Sequence, residues 1–472
     1  MSHLHSNKGL QNPDQYAFDF GRPGGANYAT AFEGKDGLIM HYGLDDAEIS
    51  GQLGAVLPAH LADLIDIAVA TYMSDRLAVR GADASDWHRS VQVTIPVRRI
   101  DLWNSPEMQD ALAGVLEFLT EDEWRLRFCQ RPSQFPRVAE TQRHLFGDQF
   151  AGPVRVSLFS GGLDSFAGTA AAIATEPQSH FVCVSGVTNQ RQGERQRQQI
   201  RCWKRLQPAS LTHVRMACWL KRADEVRQEP TRRTRGFLFL ALGAVAALSA
   251  RADRLMLYEN GIGALNLPYG SAELGVMTSR SVHPQTLDRM GALISLLAGH
   301  EFTFRNGAVF QTKAMMCADP ALRSLLDAIP LTFSCDAFPL RRKGPSQCGV
   351  CTSCLLRRLA LLNADLQHTD TEGYRYDVYA PANLLSDRHQ RGALEMHWQV
   401  ARLTAALSQD NAWAGLVREF PGLAVAHQSL VGQLVLPAAN VAEELVSLYR
   451  HHCEEWRRFP PASCIPSQRK AA

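Results

Sequence analysis

The sequence lacks any apolar run long enough to cross a bilayer. Its longest, Gly236 to Ala250, is 15 residues held between Arg235 and Arg251, short of the roughly 20 a spanning helix needs. A buried core helix is expected there, and no membrane partner. An apolar leader is missing too. The first residues, Met1-Ser-His-Leu-His-Ser, are polar, which points to a cytoplasmic protein. Charge of one sign is scarce: 49 Lys+Arg against 47 Asp+Glu leave +2, a balance that singles out no partner. Internal repeats and low-complexity tracts are absent, which excludes a repeat architecture. No Gly-Lys-Ser/Thr closes a glycine loop, which excludes a Walker A site.

What is present is a chain of 472 residues, 46% apolar and 20% charged. That is ordinary for a soluble globular protein and long enough for two or three domains. Residues 1–25 are rich in Gly, Asn, Pro and Ser and are expected to form an irregular arm. An α+β pattern follows. Ala59–Tyr72 reads as a helix with Leu61, Leu64, Ile65 and Ala68 on one face, and Ser90–Val97 alternates as a half-buried strand does. Pro106–Leu119 reads as a second helix and Trp124–Phe128 as a second strand.

From Val154 the rhythm changes to apolar strands alternating with helices. The strands are Val154–Phe159, His180–Ser185, Leu211–Cys218, Arg254–Glu259 and Glu301–Phe304. The pattern predicts an α/β fold with a doubly wound parallel five-stranded sheet, helices on both faces. Beyond about Leu366 the chain reads as helical, with Leu385–Leu407 and Ala439–Trp456 clearest and a Pro-rich end. The expected division is an N-terminal α+β accessory domain (1–150), a nucleotide domain (151–366) and a helical C-terminal region (367–472).

Val154-Arg-Val-Ser-Leu-Phe159 runs directly into Ser160-Gly161-Gly162-Leu163-Asp164-Ser165, and a small-residue helix pattern follows. Strand, glycine loop and helix come in the order phosphate binding needs. Paired glycines let the backbone approach an anion and turn N–H groups toward it, and the helix N-terminus adds partial positive charge. Ser160 and Ser165 add hydroxyl donors. Asp164 is the loop's carboxylate, suited to holding Mg²⁺ or positioning the reacting group. The plain alternative is a turn that merely joins strand to helix.

Eleven cysteines is an odd count, and four of them fall between 335 and 354. Without a leader, that clustering favours a metal in a reducing cytosol over disulfides. Cys348-Gly-Val-Cys351-Thr-Ser-Cys354, with Cys335 upstream, supplies four thiolates for a closed tetrahedral Zn²⁺ site. Gly349 would permit the turn around the metal. An iron–sulfur cluster is the competing occupant. The stretch from Asn189 to Arg235 carries thirteen Lys/Arg against four Asp/Glu. It is either a solvated helix face or a basic rim for phosphates, an acidic partner or nucleic acid.

The glycine loop resembles the PP-loop of ATP-pyrophosphatases, which cleave ATP between the α and β phosphates. Loop and cysteines together, over Val154–Leu362, resemble the 7-cyano-7-deazaguanine synthase (QueC) family. That family has Ser-Gly-Gly-x-Asp-Ser after its first strand, and one cysteine followed by Cys-Gly-x-Cys-x-x-Cys-x-x-Arg; Cys335, Cys348, Cys351, Cys354 and Arg357 match here. Its Arg-Asn pair opening an apolar helix is matched by Arg235-Gly236, with the asparagine not kept, and its Thr/Ser-Lys-Ala segment by Thr312-Lys313-Ala314. The resemblance implies a PP-loop (HUP-like) fold with ATP, Mg²⁺ and Zn²⁺. It implies ATP contacts from Ser160 to Ser165, and catalytic roles for Asp164, Arg235 and Lys313.

The family's base-reading stretch is replaced by Glu259-Asn260-Gly-Ile-Gly-Ala-Leu-Asn266-Leu-Pro. This segment would lie at the switch point of the sheet, so Glu259, Asn260 and Asn266 are expected on the substrate side. Trp87-His88-Arg89 and Phe118–Trp124, with the rewritten loop, are similar in layout to the longer QueC-like proteins of bacterial anti-phage defence, those of the Qat system (QatC) above all. This implies adenylation of a deazapurine carboxylate and transfer to an amine, with an operon-encoded partner protein as candidate acceptor. A plain nitrile synthase, a thiolase-like RNA-modifying enzyme and a non-catalytic nucleotide-binding module are the alternatives.

Overall fold

The computed structural model describes residues 15–21, 31–34, 37–81, 88–132, 136–141, 150, 152–206, 211–221, 226–230, 233–270, 280–338, 340, 344–379 and 386–459. Its strands are β1 (Gln15–Asp19), β2 (Ala31–Glu33), β3 (Ile39–Asp45), β4 (Ser90–Val97), β5 (Glu123–Gln130), β6 (Val154–Leu158), β7 (His180–Val187), β8 (Leu211–Leu220), β9 (Arg254–Leu257) and β10 (Thr303–Asn306). The five expected parallel strands are present and contiguous in the order β10-β9-β6-β7-β8. β7 is intermediate or buried throughout (Phe181, Val182, Cys183 and Val184), as expected of a strand covered on both faces.

The sheet does not stop at five strands. β3 pairs antiparallel with the outer edge of β8, placing Leu44 opposite Cys218, and the sheet continues β2-β1-β4-β5 to make ten. The expected five-stranded sheet is thus half of a larger, mostly parallel one. The reason is an edge: β8 ends the parallel run with unpaired backbone groups, and β3 pairs with those from Ala217 to Leu220. Part of the expected irregular arm is strand as well. Tyr16, Phe18 and Phe20 alternate along it, with Phe18 and Phe20 buried, and β1 pairs in parallel with β4.

Helix Ala59–Leu77 also departs from expectation. It is buried on every side from Leu61 to Arg76, not along one stripe. Its polar face is satisfied internally: Asp63 and Asp66 pair with Arg98, Asp66 also with Arg131 and Arg137, and Asp75 with Arg89. Buried carboxylates are tolerable only with such partners.

One hydrophobic cluster runs from Phe18 through this helix and Val156 to Phe304, spanning both halves of the sheet. A second joins the helices after 386 to Ile262, Leu265 and Leu355. A third lies under the glycine loop, where the rings of Phe166 and Trp203 stack at 4.8 Å. The C-terminal region is helical as expected: Asp387–Leu407, Ala412–Glu419, Gly422–Leu434 and Ala438–Arg458. Among the described residues, no helix is long and apolar enough to cross a membrane. Trp87, Leu385 and the Pro-rich end lie outside the described residues.

Candidate functional site: a cleft between the glycine loop and the cysteine cluster

The C-terminal ends of β6 and β9, neighbours whose chains depart in opposite directions, open into a cleft of about 570 Å³. It sits where an open α/β sheet places its ligands. Ser160, Gly162, Leu163, Asp164 and Ser165 line it, together with Arg235, Glu259, Asn260, Asn266 and Lys313. Residues from four separate stretches of sequence therefore meet in one cavity.

The loop turns because Gly161 takes φ +82°, and a Cβ there would lie 2.9 Å from both Gln196 Cγ and the Phe333 ring. Gly162 caps helix Leu163–Thr175. Ser160 and Ser165 hydroxyls lie 3.0 Å apart, and Ser160 Oγ accepts from the Gly162 N–H at 3.2 Å. The loop's carbonyls are taken from behind. Gln196 Nε2 donates to Ser160 O at 2.9 Å, Gln199 Nε2 to Gly161 O at 3.0 Å, and Phe333 N–H to Gly161 O at 3.3 Å. With the carbonyls engaged, the first-turn N–H groups of the helix are the loop's donors toward the cleft. Gln196 and Gln199 were not foreseen. Their signal is two amides three apart on the buried face of a helix otherwise noted for arginine.

That helix, Gln190–Leu206, is less basic than its sequence suggests. Arg195 pairs with Glu372, Arg197 and Arg201 with Glu194, and Arg205 with Asp327.

At the base of the cleft Lys313 Nζ lies 2.7 Å from Asp164 Oδ1, and Asn260 Nδ2 donates to Asp164 Oδ2 at 2.7 Å. Burial pulls the lysine toward neutrality, but Asp164 and Glu259 outweigh it and raise its pKa. Burial likewise favours a neutral Asp164, and the Lys313 charge with its hydrogen bonds overrides that to keep it ionised. Glu259 is pushed well above the usual carboxylate range, first by burial and then by the charge of Asp164. The ammonium is thus paired with Asp164, and of the two carboxyls Glu259 is the one driven toward its neutral form. Asn260 caps the short helix Gly261–Leu265 through Gly263 N–H at 3.0 Å, and Asn266 ends it at φ +46°. Asn306 at the end of β10 fixes Glu259, bonding its backbone N–H and carbonyl at 3.1 and 2.8 Å.

The far wall is the cysteine cluster. The Sγ atoms of Cys335, Cys348, Cys351 and Cys354 all lie within 4.8 Å of one another, and those of Cys348 and Cys354 are 3.8 Å apart. A tetrahedron of ~2.3 Å metal–sulfur bonds needs sulfurs ~3.8 Å apart, so the group could hold a metal ion such as zinc. Cys348 Sγ accepts the Val350 and Cys351 N–H groups at 3.5 and 3.3 Å. Its hydrogen bond with Cys335, then those with Cys351 and Cys354, push its thiol pKa down. Gly349 takes φ +86°, where a Cβ would meet Tyr376 O at 2.5 Å, so the turn requires glycine. Cys335, Asp336 and Ser353 line the cleft. Arg357 does not: it is buried, donating to Thr332 Oγ1 at 2.6 Å and pairing with Asp370 at 2.8 Å. Its role is to fasten helix Thr352–Asn363 to the segment that leads to Cys335. The stacked rings of Phe333 and Phe338, 4.2 Å apart, form an unforeseen aromatic wall of the cleft.

No protein-family model matches the chain, and no curated protein matches it.

Proposed function

We propose that this protein is a QueC-like ATP-pyrophosphatase with a PP-loop (HUP-like) nucleotide domain, which adenylates the carboxylate of a 7-deazaguanine and passes the acyl group to an amine. The observation that carries the proposal is the convergence on one cleft of the glycine loop, the Asp164–Lys313 pair, Arg235 and the rewritten Glu259–Asn266 segment.

In this reading a substrate carboxylate oxygen bonds to the α-phosphorus of ATP as the bond to the β-phosphate oxygen breaks, releasing pyrophosphate. An amine then attacks the acyl carbon, AMP leaves with the bonding electrons, and the amine loses a proton. The loop N–H groups and hydroxyls of Ser160 and Ser165 would hold phosphate oxygens. Lys313 and Arg235 would offset the charge that develops on the leaving pyrophosphate. Asp164 holds Lys313 in place. Mg²⁺ would supply further charge neutralisation. Asp164 is the loop's carboxylate toward it, but both its oxygens are engaged by Lys313 and Asn260, so the ion would be carried chiefly by the phosphates. Zinc at the four thiols would be structural, since four protein ligands leave no open position.

By resemblance, the setting is bacterial anti-phage defence of the Qat type, in the cytoplasm. The acceptor amine would be the N-terminus of a partner protein encoded nearby. The test is direct. Incubated with ATP, Mg²⁺, the carboxy-deazaguanine and the neighbouring protein, the enzyme should release AMP and pyrophosphate and leave a deazaguanine mass on the partner. Asp164→Ala should abolish both. Release of ADP and phosphate would refute the pyrophosphatase chemistry. Free nitrile formed with ammonia, with every neighbouring protein unmodified, would leave a plain synthase.

A further inference from the structure

The two cations of the cleft share an unusual arrangement. Each directly follows a threonine, and each threonine is gripped by a carboxylate from outside the nucleotide domain. Thr234 precedes Arg235 and is fully buried. Its N–H and its hydroxyl both donate to Asp75 Oδ2, at 3.0 and 2.9 Å. Asp75 belongs to helix Ala59–Leu77 of the N-terminal region and is itself fully buried. Its other oxygen is held by Arg89 at 2.7 Å, and Arg89 is paired in turn with Asp122. The carboxylate is therefore fixed at both ends and cannot follow a moving Thr234.

On the opposite side Thr312 precedes Lys313 and is 1% exposed. Its hydroxyl accepts the Met315 N–H at 3.1 Å, capping the short helix that carries Lys313, and donates to Glu455 Oε1. Glu455 lies on the last helix, Ala438–Arg458. That helix is tied to the cysteine-cluster helix by Asn363 Nδ2, which donates to the Glu455 carbonyl at 3.2 Å.

We infer that the N- and C-terminal regions are positioning parts of the phosphate site: Asp75 sets Arg235 through Thr234, and Glu455 sets Lys313 through Thr312. The inference rests on reading Arg235 and Lys313 as phosphate cations. A guanidinium or ammonium on a long side chain stabilises a polyanion only as well as its backbone root is fixed, because a loosely rooted cation loses orientational freedom again on binding. Each root is fastened locally through the threonine before it: Thr234 O accepts the Leu238 N–H in the first turn of helix Arg235–Ser249, and Thr312 caps the six-residue helix that Lys313 opens. The flanking carboxylates hold those threonines from outside. This also explains why a nucleotide domain is flanked by two regions that contribute neither to the glycine loop nor to the cysteine cluster. They would be required for ATP binding even before any partner arrives.

The experiment uses the full chain, four single variants and one double variant. Thr234→Val deletes the hydroxyl held by Asp75 without change of shape, and Thr234→Ser restores it. Glu455→Leu deletes the acceptor for Thr312, and Glu455→Gln restores an acceptor. Calorimetric titration gives dissociation constants for ATP and for adenosine, which lacks the phosphates. Thr234→Val and Glu455→Leu are each expected to weaken ATP about fivefold, the worth of one hydrogen bond, with adenosine unmoved. The serine and glutamine variants should bind ATP as wild type does. The two losses should multiply in the double variant, since the contacts share no partner. ATP affinity that is unchanged in both would overturn the inference. So would an equal loss for ATP and adenosine, which marks a general disturbance and not a misplaced cation. Wild-type protein that bound neither ligand would remove the nucleotide reading itself and the inference with it.

Discussion

Lys313 Nζ sits 2.7 Å from Asp164 Oδ1, and both side chains are nine-tenths or more buried. Removing one member strands the other. Lys313→Met should cost about 3 kcal/mol of stability in urea denaturation, the usual penalty for an uncompensated buried charge. Adding Asp164→Asn should recover most of it, because the pair is then replaced by neutral groups. AMP formation should be absent in both variants. Recovery of turnover together with stability would mean that the pair is scaffolding alone.

Gly161 is the second test. At φ +82°, with Phe333 and Gln196 at 2.9 Å from any added carbon, Gly161→Ala meets both backbone strain and a clash. A loss of about 1–3 kcal/mol is expected, together with weaker ATP binding. Gly299→Ala is the control. It shares the positive φ, at +73°, but has open space around it. It should cost only the strain and leave ATP binding alone.

The metal prediction is stoichiometric. Purified protein should carry one zinc per chain by elemental analysis. Cys351→Ser should lower that content and the melting temperature together, because ligand set and local fold are linked. Iron with sulfide in place of zinc would overturn the assignment and promote the thiolase-like alternative.

Acid sensitivity follows from His452. It is 1% exposed, neither ring nitrogen has a hydrogen-bond partner among the described residues, and burial holds its pKa down to about 4 against an ordinary 6.5. Above pH 6.5 both folded and unfolded forms are neutral and the residue contributes no pH dependence. Between 6.5 and 4 only the unfolded chain takes up the proton, so stability falls as pH falls. His452→Leu should therefore lose less stability than wild type between pH 7 and pH 5, by about 2 kcal/mol. Equal losses would show that His452 is protonated in the fold. His213 and His283, pushed down by burial to about 3 and about 4, act in the same direction.

The glycine loop, the cysteine cluster and the five parallel strands were legible because each is a contiguous pattern with a local cause. A strand covered on both faces is a continuous apolar run, a left-handed turn between strand and helix needs glycine, and a thiol cluster needs cysteines at short spacing. β1 to β3 were hidden by the Gly, Asn and Pro around them and not by length, since β3 at seven residues is longer than β6, β9 or β10. The β3–β8 pairing joins Leu44 to Cys218, and no pattern within either strand announces it. Asp75, Glu455, Gln196 and Gln199 were hidden for the same reason. Each acts on a residue far away in sequence, and each has an ordinary surface-residue identity until its partner is known. Phe333 and Phe338 could have been noticed as aromatics flanking Cys335, but only the packing over Gly161 gives them a place in the cleft.

The pairing of β3 with β8 also bears on how divisible the chain is. Cut near residue 150, the downstream half would keep its glycine loop and cysteines. It would, however, expose the Ala217–Leu220 edge of β8 as a template for other strands. It would also strip the hydrophobic cover from helix Arg235–Ser249, which packs against helix Ala59–Leu77. Such a fragment should self-associate through that edge rather than behave as a smaller enzyme. The chain is a tandem of regions by pattern but one unit by construction, joined both at the β3–β8 seam and through its packed helices.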